Sequence, residues 1–151
     1  MDNSNILISQ MNLKDLESIK PILETDFDDF WNYSVFKTEL ENTNSKYFVL
    51  KKENEILGFV GFLKVLDEAE ITNIVIKKSF RRNHLSKLLI EYIINYCNNN
   101  NISKIHLEVK STNLVAINLY KSFDFKEVGL RKGYYKNEDA ILFTKKLKEA
   151  R

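Results

Sequence analysis

Apolar residues in this chain follow two patterns. Short runs are rich in β-branched and aromatic residues, and in longer stretches apolar side chains recur every three or four positions. The first pattern suits strands and the second suits helices with one buried face. Ile6-Leu7-Ile8 reads as an opening strand. Asn12 then stands as an N-cap for a helix whose Leu13, Leu16, Ile19 and Leu23 share one face. Pro21 falls inside that pattern, and its missing N–H predicts a kink or break there. Residues 26–32 are acidic and aromatic and read as a loop, before a second short helix through Val35, Phe36 and Leu40. Residues 47–50 and 56–66 make two strands joined by a tight hairpin at Lys52-Glu53-Asn54, and another strand covers 69–76.

The second half continues in the same way. Leu85, Leu88, Leu89, Tyr92, Ile93 and Tyr96 recur at helical spacing, which predicts an amphipathic helix over 85–97. Four asparagines, Asn98 to Asn101, end it, because their side chains compete for backbone hydrogen bonds and tolerate left-handed geometry. A strand over 102–109, a helix over 115–123, and strands over 126–134 and 139–147 follow. The order β-α-α-β-β-β-α-β-α-β-β predicts an α/β chain built on a mixed sheet of about seven strands with helices on both faces. Neither a repeat nor an interdomain linker interrupts it, so one domain over 1–151 is expected.

Composition narrows the class. A 44% hydrophobic content argues against disorder, and 151 residues suffice for one domain with a core. Twenty-three basic and 21 acidic side chains leave a formal charge of +2, which gives no general grip on nucleic acid. No apolar run approaches the roughly 20 residues of a membrane helix, and Met1-Asp2-Asn3-Ser4-Asn5 lacks the basic start of a signal peptide. The single Cys97 has no disulfide partner in the chain and fits a reducing cytoplasm, with a small core residue as its commoner role. His84 and His106 lie far apart in sequence and Cys97 has no C-x-x-C partner, so no metal site is expected. A cytoplasmic protein, monomeric or weakly dimeric, is the expectation.

Chemistry concentrates in one stretch. Leu107-Glu108-Val109-Lys110 is a short β-branched run carrying a carboxylate, and Ser111-Thr112-Asn113 is a polar turn. A helical stretch then presents Ala116 and Leu119-Tyr120 and ends at Phe123-Asp124-Phe125. That order brings an acid/base pair to one strand-to-helix junction. It resembles the GNAT acetyltransferases, where a strand reading roughly L-E-V-R precedes S-N-x-x-A-x-x-L-Y and ends in G-F. Asp124 stands where that family usually has glycine. The resemblance implies the GNAT fold, acetyl-CoA as cosubstrate, Glu108 as general base acting through water, and Tyr120 as general acid toward the CoA sulfur. Without the motif, Glu108 reads as a charged strand residue and Tyr120 as a half-buried helix aromatic.

The family's phosphate loop, R/Q-x-x-G-x-G/A, aligns with Arg81-Arg82-Asn83-His84-Leu85-Ser86. Arg81 matches, Ser86 is a small substitute, and His84 departs from glycine, while Lys78 replaces a usual proline. Backbone N–H groups there, with the helix N-terminus, would hold the pyrophosphate. Lys77, Lys78, Arg82 and Lys87 add charge, although such a run is commonly only a solvated face. The resemblance further implies that the backbone of Ile74, Val75 and Ile76 meets the pantetheine arm and thioester, and that Asn113 contacts the cofactor. Alone, Asn113 would read as a helix cap.

Trp31 with Phe36, Tyr134-Tyr135, Glu138-Asp139-Ala140 and Asp67-Glu68-Ala69-Glu70 match the group of this family that acetylates the N-terminal alanine of a ribosomal protein, with Asn32 in place of a small hydroxyl residue. The match runs from Trp31 to Leu147. It implies substrate contacts from Trp31, Glu70, Asn73, Tyr134 and Tyr135. Asp26, Asp28, Asp29, Asp67 and Glu68 are expected to draw a basic peptide. Energetics favour the same acceptor, since neutralising an N-terminal amine at pH 7 costs only about 1 kcal/mol, against roughly 4–5 kcal/mol for lysine. Two alternatives stay open: another peptide, lysine or small amine as acceptor, and a non-catalytic module whose loop no longer carries acetyl-CoA.

Overall fold

The computed structural model describes residues 4–28, 31–135 and 137–147. Among the described residues, seven strands form a mixed sheet in the hydrogen-bonded order β1-β2-β3-β4-β5-β7-β6, with four α-helices. By packing, the chain divides into two compact units, one made of residues 1–64 and 72–93, the other of 65–71 and 94–151.

The first unit opens with β1 (Ile6–Gln10), antiparallel to β2 (Ser45–Lys52). Helix α1 (Leu13–Ile19) starts in a capping box: Asn12 accepts from the Asp15 amide and Asp15 accepts from the Asn12 amide, at 2.9 and 3.0 Å. The break expected at Pro21 occurs. A 3₁₀ turn, Lys20–Ile22, and one π-turn, Leu23–Phe27, follow α1, because proline has no amide to continue the α ladder. The expected loop over 26–32 is therefore shorter: Asp26 and Phe27 belong to that π-turn, whose irregular winding buries Leu23 and Phe27 together. Helix α2 (Tyr33–Glu41) is capped by Asn32, which accepts from the Val35 amide.

Strands β2 and β3 (Glu55–Val65) meet in the expected hairpin. Glu53 and Asn54 both adopt left-handed angles, φ 51° and 72°, as a two-residue turn matched to strand twist requires. Leu16, Ile19, Phe27, Phe36, Tyr47 and Phe59 form the centre of this unit's core. Each such side chain contributes about 1.5–3 kcal/mol on burial. Gly61 is needed there, because a β-carbon on it would lie 2.0 Å from the Tyr47 ring. Beyond Thr72, β4 (Glu68–Ile76) and helix α3 (Leu85–Asn98) up to Ile93 complete the unit.

The second unit begins at the end of β3. Leu66, expected within the strand, turns out left-handed (φ 58°) and 88% exposed, so the strand stops at Val65. The start of β4 pairs parallel with β5 (Lys104–Lys110) at Glu68, Ala69 and Glu70. The asparagine run ends α3 by the anticipated chemistry: Asn100 donates from its side chain to the Tyr96 carbonyl, Asn101 turns left-handed at φ 59°, and the Ile102 amide donates to Cys97. Helix α4 (Leu114–Ser122) follows β5, and β6 (Lys126–Tyr135) and β7 (Glu138–Lys146) close the unit as an antiparallel pair, with β7 against β5.

Candidate active site

Period-two alternation explains how β5 presents its chemistry. Ile105, Leu107 and Val109 are buried, so His106 and Glu108 occupy the opposite side of the strand. Glu70 of β4 lies opposite His106, Thr144 of β7 also faces His106, and Leu142 of β7 faces Glu108. These side chains, with Arg131 of β6, line an open cleft of about 170 Å³. Arg131 Nη2 lies 3.2 Å from Glu108 Oε1, with the Glu108 side chain 19% exposed and that of Arg131 53% exposed. So open an ion pair adds under about 1 kcal/mol to stability. His106 is held at both ring nitrogens, 2.7 Å from Thr144 Oγ1 and 2.5 Å from Glu68 Oε1.

Tyr120 comes from α4. Asn113 caps that helix by accepting from the Ala116 amide at 3.2 Å, the structural role its type suggested. Its side-chain N–H groups remain available for a second contact. The Tyr120 ring is buried against Phe125 and Phe143, at centroid separations of 5.8 and 6.4 Å. Burial pushes the phenol up to about 12, so it stays protonated well above neutral pH. The turn after α4 is fixed by Asp124 at φ 66°, with the Phe125 amide donating to the Tyr120 carbonyl. Asp124 therefore occupies the left-handed site that glycine usually fills, and aspartate is among the few L-residues that tolerate it.

In the first unit, Ile74 is half-buried and Val75 and Ile76 are buried at the end of β4. The Arg81 guanidinium braces the loop that follows, donating from Nε to the Ile76 carbonyl at 2.9 Å and from Nη2 to the Phe27 carbonyl at 2.7 Å. Asn83 ties back to Phe80 through its side chain. Arg82 and His84 are both left-handed, φ 71° and 60°, and α3 begins at Leu85 with Ser86 in its first turn. Left-handed turns of this kind, followed by the N–H groups of a helix N-terminus, are able to hold an anion, and the helix here is 14 residues long. His84 keeps the conformation for which glycine is preferred, and its side chain is exposed. Lys77 pairs with Glu55 at 3.0 Å, whereas Lys78, Arg82 and Lys87 are exposed.

The residues expected to touch substrate divide between the units. Trp31 is half-buried and packs edge-on to Phe36 at 5.6 Å and against Tyr47 at 6.1 Å, and Asn73 is half-buried on β4. Glu70 is exposed at the cleft, and Tyr134 is 52% exposed with the Arg131 guanidinium 5.3 Å from its ring centre. Tyr135 ends β6, but its side chain lies outside the described residues, as does Asp29. Of the acidic residues proposed to draw a peptide, Glu68 is engaged with His106. His106 and Arg131 were not anticipated as site residues. Strand alternation carried the signal for His106, two positions before Glu108, whereas Arg131 joins only through the pairing of β6 with β7. Among the described residues no metal-ligating cluster exists.

The mixed sheet of seven strands in this order, interleaved with helices, defines the fold class. Residues 15–125 match the acetyltransferase (GNAT) family, and the chain belongs to it. A Bacillus subtilis relative is 33% identical over 138 residues, spanning 89% of this chain and 91% of its own length. The ribosomal protein bS18-alanine N-acetyltransferase of Salmonella typhimurium is 34% identical over 112 residues, covering 70% of this chain and 76% of that protein. The crystal structure of the ribosomal-protein-S18-alanine N-acetyltransferase from Escherichia coli superposes with a TM-score of 0.88 at 28% identity, over 97% of this chain and 96% of that one.

Proposed function

We propose that this acetyltransferase moves the acetyl group of acetyl-CoA to the α-amine of an N-terminal alanine, and that its acceptor is the small-subunit ribosomal protein bS18 named for its relatives. The observation that carries the reading is Glu108 in an open cleft on β5, with Tyr120 buried on the helix that β5 feeds. Family membership spanning both compact units supports a single working domain. The reading places the protein with its ribosomal substrate in the cytoplasm.

The residues present fit the cosubstrate. The left-handed turn at Arg82 and His84 and the start of α3 offer amides to its pyrophosphate, with Asn83, Leu85 and Ser86 in the same cradle, and Arg81 keeps the turn in shape. Ile74, Val75 and Ile76 would meet the pantetheine arm through their backbone, and Asn113 through its side-chain amide. Acetyl-CoA supplies an activated acyl group with a thiolate as leaving group. Glu108 takes a proton through water from the acceptor's ammonium, so that the neutral amine attacks, a small task for an N-terminal amine of pKa about 7.7–8. Tyr120 donates a hydrogen bond toward the sulfur. Burial pushes the phenol up to about 12, so Tyr120 stays protonated at neutral pH and able to act as general acid toward the sulfur. Trp31, Glu70, Asn73, Tyr134 and Tyr135 would line the peptide's path.

A panel of peptides that differ only in the first residue, incubated with acetyl-CoA and read by mass spectrometry, tests the assignment. Acetylation of the alanine-first peptide at the α-amine, with an internal lysine left unmodified, is expected. Preferential lysine or polyamine acetylation would replace this acceptor with another. No transfer to any amine, with no acetyl-CoA binding by calorimetry, would mark the chain as a binding module.

A further inference from the structure

Arg131 lies on a strand whose path is built to aim it. Two register irregularities of β6 flank it, one between Glu127 and Gly129 and one between Arg131 and Tyr135. The second is locked by Gly133, left-handed at φ 63°, whose amide donates to Asp139 Oδ1 at 2.9 Å. Bulges of this kind redirect a side chain from the regular alternation. The guanidinium that results lies 3.2 Å from Glu108 and over the Tyr134 ring. A pair this exposed does little for stability, yet it restricts the rotamer of the one carboxylate to which the reaction assigns the amine's proton.

We infer that Arg131 is a positioning residue: it holds the Glu108 carboxylate in the orientation from which it takes up that proton. The planar, forked guanidinium suits this task, since it fixes a carboxylate by geometry and not only by charge. Stacking over Tyr134 limits its own freedom in turn. The inference rests on Glu108 being the base.

Arg131→Met and Arg131→Lys are compared by steady-state kinetics with acetyl-CoA and the acceptor peptide, alone and in the Glu108→Gln background. Arg131→Met is expected to lower kcat about tenfold or more, the scale of a misplaced catalytic group, with both KM values held within about twofold. Arg131→Lys should recover only a small part of that loss, because an ammonium keeps the charge without the planar fork. Combined with Glu108→Gln, Arg131→Met should add nothing, because the two act through one interaction. Unchanged kcat in Arg131→Met, or the same loss repeated in the double variant, would overturn the inference while leaving Glu108 as base. Full turnover in Glu108→Gln alone would instead remove the base assignment and the positioning role with it. Nitrogen-15 NMR of arginine side chains in the resting enzyme reads the pair directly. The Arg131 Nη–H resonances are expected to move on Glu108→Gln, and unmoved resonances would overturn the pairing.

Discussion

His84 and Asp124 carry backbone angles that most L-residues adopt reluctantly, φ 60° and 66°. Both stand where the family usually has glycine, so the backbone requirement persisted when the residue type changed, and histidine and aspartate are among the types that meet it. Asp124→Val is therefore expected to cost about 1–2 kcal/mol, and Asp124→Gly to be neutral or stabilising, as read by urea denaturation. At the chemical centre each proposed role carries its own expected loss. Glu108→Gln should reduce kcat by roughly 10²–10⁴, the range for a general base. Tyr120→Phe keeps the buried ring and removes one donor, so a loss of about 10²–10³ is expected with acetyl-CoA affinity retained, checked by calorimetry beside turnover. A phenol near 12 also predicts that the pH–rate profile of the wild type shows no fall assignable to Tyr120 below about pH 11.

Elements in this chain follow local signals closely where those signals are chemical. The capping box at Asn12, the hairpin at Glu53 and Asn54, and the asparagine stop after α3 each form by the hydrogen bonds their residues favour. Local reading fell short where packing decided. Leu23 to Phe27 winds into a π-turn to bury Leu23 and Phe27, which no acidic, aromatic stretch announces by itself. Likewise, Leu66 leaves the strand to make the turn into β4. Gly61 shows how an element depends on a neighbour, since its missing side chain is the space that the Tyr47 ring fills. That ring reaches the Thr72 hydroxyl at 2.8 Å. Gly61→Ala is expected to destabilise the protein by about 1–3 kcal/mol, measured as a lowered denaturation midpoint, because a buried ring has no room to retreat.

At the scale of the whole molecule, three buried weak acids among the described residues shape the response to alkali. Burial raises Tyr47 above its usual range, and pushes Cys97 from 9.0 and Tyr120 from 10.0 each up to about 12. In each, the folded state holds its proton more tightly than the unfolded chain, so unfolding releases protons and stability must fall as pH rises. The contribution is complete below about pH 9 and is lost progressively toward pH 12. Urea titrations from pH 8 to 11 should show a falling midpoint. Cys97→Ala should flatten the early part of that fall, although it also removes a buried sulfur.

Read alone, the amino-acid order determined the strand and helix sequence, because that rests on period, caps and turn chemistry, while its motif resemblance implied the family and nominated Glu108 and Tyr120 as candidate chemistry. Tertiary structure alone decided what surrounds Glu108. Arg131 is 23 residues away along the chain (131 − 108 = 23) and becomes its ion-pair partner only because β6 pairs with β7 and β7 with β5. His106 joins Thr144 and Glu68 across three strands for the same reason. Strand register sets such neighbours, and register is a property of the folded sheet that no local window of the chain contains.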